Sequence, residues 1–176
     1  MVQDESLQKR IEDAIQLVVN SISAGGNLLV CGNGGSASDA MHITGELVGK
    51  FNFERPAINA VCLNSNSTVI TAWANDISYE TVFARQVEAH QGVNSVLWGL
   101  STSGNSVNVL RAFERAGELG MQRILMTGRR GGSINNHSEI VIDVPAEGAP
   151  HIQELHIIVY HYMCAEIEER LMNKAV

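Results

Sequence analysis

Asn27-Leu28-Leu29-Val30-Cys31-Gly32-Asn33-Gly34-Gly35-Ser36 sets the pattern that the rest of the chain repeats. It is an apolar run too short for a core helix, closed by a glycine-rich turn, and residues 36–50 beyond it carry a helical pattern. The same punctuation recurs along the chain. Residues 58–63, 95–100, 123–127 and 140–144 are short apolar runs, and residues 66–75, 79–90 and 106–119 between them can be helical. The final segment, 151–172, is long, periodic and free of Gly and Pro. Near-continuous apolar strands alternating with helices imply a parallel sheet covered on both faces. The expectation is a three-layer α/β/α domain of five strands, with residues 1–176 forming one domain.

Upstream, Leu7, Ile11, Ala14, Ile15, Val18, Val19 and Ile22 recur at helical spacing until Gly25-Gly26 stops them, which predicts a helix over about 4–24. This helix and the last one stand outside the strand–helix alternation and have wide apolar faces. Each either covers the sheet or packs on a second copy of the chain, and the pattern favours a homo-oligomer.

Composition narrows the function. Lys+Arg 12 against Asp+Glu 19 gives a formal charge of −7, which argues against an electrostatic grip on nucleic acid or an anionic membrane. Hydrophobic residues at 45% exclude disorder across 176 residues. Cys31, Cys62 and Cys164 show no paired spacing and sit in apolar runs, so they read as buried thiols of a reduced compartment. The polar segment Met1 to Arg10 is unlike a signal peptide, and no apolar run approaches a membrane span, so the expected location is cytoplasmic.

Three loops share a grammar of strand, then Gly/Ser/Thr/Asn, then helix or turn. They are Gly32 to Ser36, Ser101-Thr102-Ser103-Gly104-Asn105-Ser106, and Thr127-Gly128-Arg129-Arg130-Gly131-Gly132-Ser133. Such loops gather at the C-terminal ends of parallel strands, where free amides and hydroxyls donate to a phosphate ester. Ser36 has the look of an N-cap, with Asp39 three residues on. No Walker lysine follows the first two loops, and no acid after residues 58–63 is placed to hold a ribose, so nucleotide chemistry is disfavoured.

His42 and Glu46 form an i,i+4 pair on the helix that Ser36 opens; they can share a metal, orient one another, or be an exposed ion pair. The last helix carries Gln153, His156 and His161 among Ile152, Leu155, Ile157, Ile158, Val159 and Tyr160. Rings in so apolar a stretch need partners, most often a backbone carbonyl or water. Gln153 and His161 lie about 80° apart around the axis and about 12 Å apart along it, which permits a shared metal without requiring one.

These residues in combination resemble the sedoheptulose 7-phosphate (phosphoheptose) isomerases, a branch of the sugar isomerase (SIS) domains. The resemblance rests on Cys31 to Ser36 through Asp39-Ala40-Met41-His42 to Glu46-Leu47, on Ala74-Asn75-Asp76, on Leu100 to Ser106, on Thr127-Gly128 with Gly131-Gly132, and on Ile152-Gln153-Glu154-Leu155-His156 followed by His161. It implies a five-stranded parallel sheet, a homotetramer, and isomerisation of D-sedoheptulose 7-phosphate to D-glycero-D-manno-heptose 7-phosphate through an enediol(ate). That step belongs to bacterial heptose synthesis for lipopolysaccharide or capsule. By the same resemblance Glu46 is the base and His161 the acid. The positions matching zinc ligands are His42, Glu46, Gln153 and His161, with one ion per subunit. Asn33, Gly34, Gly35, Ser36, Glu46, Asn75, Asp76, Ser101, Thr102, Ser103, Ser106 and Gln153 match substrate contacts. The chain departs from the family pattern at Ile43-Thr44-Gly45, at Ala37-Ser38, and at Lys50, where arginine is common. Some relatives are non-catalytic scaffolds that bind the replication initiator DnaA, and others are sugar-phosphate sensors. The scaffold branch lacks the acid–base pair, and this chain has both members of it.

Overall fold

The computed structural model describes residues 4–129 and 131–174; Met1 to Gln3 and Arg130 of the third glycine-rich loop lie outside the described residues. Five strands, β1 (Leu28–Gly32), β2 (Ala60–Cys62), β3 (Val96–Leu100), β4 (Gln122–Gly128) and β5 (Ile140–Val144), pair in the order β2-β1-β3-β4-β5. Every pairing is parallel. Six helices surround them: α1 (Glu5–Ser23), α2 (Gly35–Val48), α3 (Ser67–Asp76), α4 (Val82–His90), α5 (Val107–Glu118) and α6 (Ala149–Lys174).

Alternate residues along the strands supply two separate cores. Leu28, Val30, Trp98, Leu100, Ile124 and Met126 pack with α1, α2 and α6 on one face. Leu29, Cys31, Leu97 and Leu125 pack with Val87 of α4 and Val109 and Phe113 of α5 on the other. The expected three layers are therefore present, with the period-2 side-chain alternation of a strand feeding both. All three cysteines are free and buried. Among the described residues, no helix is long and apolar enough to cross a membrane.

Local chemistry sets the boundaries. Asp4 caps α1 by accepting a hydrogen bond from the Leu7 amide at 2.9 Å, and Asn66 caps α3 by accepting from Val69 at 3.1 Å. β2 is shorter than the apolar run 58–63, because the Ile58 amide leaves the sheet direction to donate to Leu47 O at the end of α2. The helix expected over 79–90 opens as a 3-10 turn, Tyr79–Thr81, before α4 begins. Ser36 is not an N-cap. α2 starts one residue earlier, its cap position is Gly34 at φ +55°, and Asp39 hydrogen-bonds to Gln153 instead.

The connection from β1 leads to β2 on one side, and the connection from β3 leads to β4 on the other. The order of the sheet thus reverses between β1 and β3, which opens a crevice at their C-terminal ends. Loops Gly32 to Ser36 and Ser101 to Ser106 leave the sheet at that crevice. The α1–α2–α6 face, meanwhile, brings α2 against α6.

Candidate active site

At the mouth of the crevice the first loop is clamped to the first turn of α5. Asn33 and Asn108 exchange side-chain amide hydrogen bonds at 2.7 and 2.8 Å, and the Tyr79 hydroxyl donates to Asn33 Oδ1 at 2.9 Å. Asn64, after β2, brackets the Gly32 peptide, accepting from its N–H at 3.1 Å and donating to its carbonyl at 2.9 Å. The first loop is thereby held from both sides before it opens α2.

The second loop turns on its own hydroxyls. Ser101 and Ser106 Oγ lie 2.9 Å apart, and Ser103 Oγ accepts from the Asn105 amide. Ser106 precedes α5 with no side-chain cap bond, since its hydroxyl faces Ser101. The third loop buttresses this one: Ile134 N–H donates to Gly104 O and Ser133 N–H to Asn105 Oδ1. Gly104 and Gly132 are in backbone contact, and a Cβ on Gly104 would stand 2.5 Å from Gly132 N. Thr102, Ser103, Gly128, Arg129, Gly131, Glu147, Gly148 and Ile152 line a cleft of about 340 Å³ between these loops and the start of α6.

Gln153, in the first turns of α6, reaches across to α2. Its Nε2 donates to Asp39 Oδ1 at 3.2 Å, and its amide fills the space where a Cβ on Gly35 would sit, 2.3 Å away. Asp39 is buried, and its Oδ2 has no hydrogen-bond partner among the described residues. Burial pushes its carboxyl up, against the Gln153 hydrogen bond and the nearby His42.

One turn further along α2, His42 and Glu46 meet His161 of α6. Glu46 Oε1 is 3.0 Å from His42 Nε2, and His161 Nε2 is 3.4 Å from the same nitrogen. One ligand atom from each of the three residues lies within 4.8 Å of the other two. Tyr160, buried beside them, places its hydroxyl 2.9 Å from His42 Nδ1. Burial, with the charges of Asp39, Cys164 and Glu46, raises the phenol above its ordinary range, so it stays a neutral hydrogen-bonding group. Phe51, just beyond α2, stacks on the His161 ring at 5.8 Å between centroids. Two imidazoles and a carboxylate converging in this way suit a borderline divalent cation such as zinc.

Of the residues singled out in the sequence, His42, Glu46 and His161 converge, and Gln153 stands beside Asp39, one turn of α2 away. Asn33, Gly34, Gly35 and Ser36 lie with Ser101, Thr102, Ser103 and Ser106 at the crevice. Asn75 and Asp76 bond to each other at the end of α3. His156 takes the ordinary option of a backbone partner, Thr127 O at 3.2 Å, and burial lowers its pKa to about 4. Sequence reasoning passed over Phe51, Arg55, Tyr79, Asn108 and Glu168, and treated Tyr160 as apolar filling. Only Asn108, polar in the first turn after a hydroxyl-rich loop, carried a local signal.

Comparison with known proteins gives a consistent picture. The family model described as SIS domain matches residues 2–128. The phosphoheptose isomerase of Helicobacter pylori (strain P12) is 45% identical over 170 residues, covering 97% of this chain and 88% of that protein. The phosphoheptose isomerase of Crocosphaera subtropica is 46% identical, covering 95% and 85%. Among solved structures, a phosphoheptose isomerase from Francisella tularensis is similar with a TM-score of 0.88 at 36% identity, covering 92% of this chain and 86% of that one. Phosphoheptose isomerase GmhA from Neisseria gonorrhoeae gives 0.86 at 36% identity, covering 94% and 90%.

Proposed function

The chain belongs to the SIS-domain family and, within it, to the phosphoheptose isomerases, and from that premise we propose that it converts D-sedoheptulose 7-phosphate to D-glycero-D-manno-heptose 7-phosphate in bacterial heptose biosynthesis. The observation that carries the assignment is the convergence of His42, Glu46 and His161 within 4.8 Å, between the helix that the first glycine-rich loop opens and α6 facing it.

Isomerisation between ketose and aldose needs a base that moves one proton between neighbouring carbons and an acid that serves the oxygens. Glu46 takes the proton from C1 of the ketose, leaving an enediol(ate), and returns it to C2. His161 gives a proton to the carbonyl oxygen at C2 as the enediol forms, and a proton leaves the C1 hydroxyl as the aldehyde appears. Ser101, Thr102, Ser103 and Ser106 hold the phosphate with the free amides at the start of α5. Asn33, Gly34, Gly35, Ser36, Asn75, Asp76 and Gln153 contact the sugar. His42, Glu46 and His161, with Gln153 beside them on α6, would hold one zinc ion per subunit, and zinc bound there would polarise the sugar oxygens.

The enzyme is a cytoplasmic homotetramer, and α1 serves as its oligomerisation helix. In support, a groove of about 660 Å³ between α1 and α6 has an apolar floor of Leu7, Ile11, Ile158, Val159 and Tyr162 rimmed by Glu5, Gln8, Lys9 and Glu12, with Ile158 and Tyr162 exposed. Glu46→Gln keeps the shape and removes the base, so it abolishes turnover while sugar-phosphate binding persists. Substantial turnover in that variant would remove Glu46 from the mechanism.

A further inference from the structure

Glu168 is a fully buried carboxylate on α6, seven residues beyond His161 and so on nearly the same face of that helix. Both of its oxygens are saturated. Oε1 accepts from Phe51 N–H at 3.0 Å and Arg55 Nε at 3.0 Å, and Oε2 accepts from Asn52 N–H at 2.7 Å and Phe53 N–H at 3.2 Å. Burial opposes its charge, and the Phe51 and Asn52 amides, the Arg55 charge and the Phe53 amide outweigh that, holding the carboxyl below its ordinary range.

The partner guanidinium, also buried, works on the other helix. Arg55 Nη2 donates to Glu46 O at 2.9 Å, and Nη1 donates to Leu47 O at 2.8 Å and Gly49 O at 3.3 Å. These are carbonyls at the C-terminal end of α2, where helix partners run out and positive charge is favoured. One ion pair thus joins the last turn of α2, which carries Glu46, to α6, which carries His161. The three amides that Glu168 binds also fix the segment from which Phe51 stacks on His161.

A buried ion pair is a weak source of stability, because desolvation offsets most of the attraction. What it fixes is geometry. We propose that Arg55 and Glu168 are a positioning pair, which sets the separation of Glu46 from His161 and holds the Phe51 ring against His161. The proposal rests on the reading of Glu46 and His161 as base and acid.

Glu168→Gln and the double variant Arg55→Gln/Glu168→Gln, which leaves no unpaired buried charge, test it beside Glu46→Gln. Both positioning variants lower kcat by about 100-fold with KM for sedoheptulose 7-phosphate little changed, since misplacing groups by about 1 Å costs that much. Zinc affinity, measured against a competing chelator, falls with it, and NMR shows the His161 ring protons losing the upfield shift that the Phe51 ring imposes. A merely structural pair would lower Tm while kcat of the folded protein, zinc affinity and the His161 shift stayed at wild-type values, and that result overturns the proposal. An active Glu46→Gln would instead overturn the catalytic reading, with zinc affinity and the His161 shift still deciding whether the pair positions the cluster.

Discussion

His42 depends on what holds its far nitrogen. Its Nε2 faces Glu46 and His161, and Tyr160 meets Nδ1 at 2.9 Å. A hydroxyl can both donate and accept, so Tyr160 accommodates either tautomer of the ring. With its Nε2 lone pair turned to a metal, His42 would donate Nδ1–H to Tyr160, in the place where a ligating histidine ordinarily meets a carboxylate, a backbone carbonyl or water. Tyr160→Phe removes that oxygen with little change of shape. It is expected to weaken zinc binding about 10–100-fold, read by chelator competition. Unchanged affinity would mean that the hydroxyl orients nothing. At this scale the sequence was informative where spacing was local, as in His42 and Glu46, four residues apart on one helix. It was silent where the partner lies far along the chain: Tyr160 is 118 residues from His42, and Glu168 is 113 from Arg55. Neither carries a motif, because a buried tyrosine or glutamate on a helix looks the same whatever it touches.

In the proposed mechanism the elements divide the work. The loop before α5 supplies hydroxyls and free amides for the phosphate, and the facing sides of α2 and α6 carry His42, Glu46 and His161. Ser103→Ala and Ser106→Ala are each expected to weaken substrate binding by about 1.5–3 kcal/mol, the worth of a hydrogen bond to a charged group, with zinc affinity unchanged. Titration calorimetry with the Glu46→Gln background reads binding without turnover, and a loss confined to kcat would move these serines out of the phosphate site. Gly104→Ala probes the same loop from behind. Gly104 has φ +64°, and its Cβ would collide with Gly132, so the fold loses upwards of about 1–2 kcal/mol. Strand and helix existence was legible from apolar runs and glycine stops, and the five-strand parallel sheet followed from their alternation. The start of α2 was misjudged because Ser36 satisfies cap statistics, whereas glycine at positive φ lets the loop backbone itself enter the helix. The strand order, and with it the crevice between β1 and β3, comes from tertiary pairing that no local pattern encodes.

Across the whole molecule, stability is tied to pH through His156, which anchors α6 to the end of β4. Its ordinary value of 6.5 falls to about 4 on burial. The unfolded chain therefore takes up a proton, between about pH 6.5 and 4, that the folded chain does not. This contribution is fully present above pH 6.5 and is lost as pH falls through that window, by up to about 3 kcal/mol. Denaturant unfolding at several pH values should show the slope in the native protein and a shallower one in His156→Gln; equal slopes would exclude His156 as its source. The same anchoring keeps α6, and with it Gln153 and His161, in place along α2. The proposed reaction moves a proton between two carbons of a sugar phosphate. NMR of the purified protein with sedoheptulose 7-phosphate in D₂O, with zinc and with chelator, tests it most directly. An aldose 7-phosphate product with deuterium at the exchanging carbon, formed more slowly in chelator, is expected. Binding of the sugar phosphate with neither product nor deuterium in either arm would contradict it.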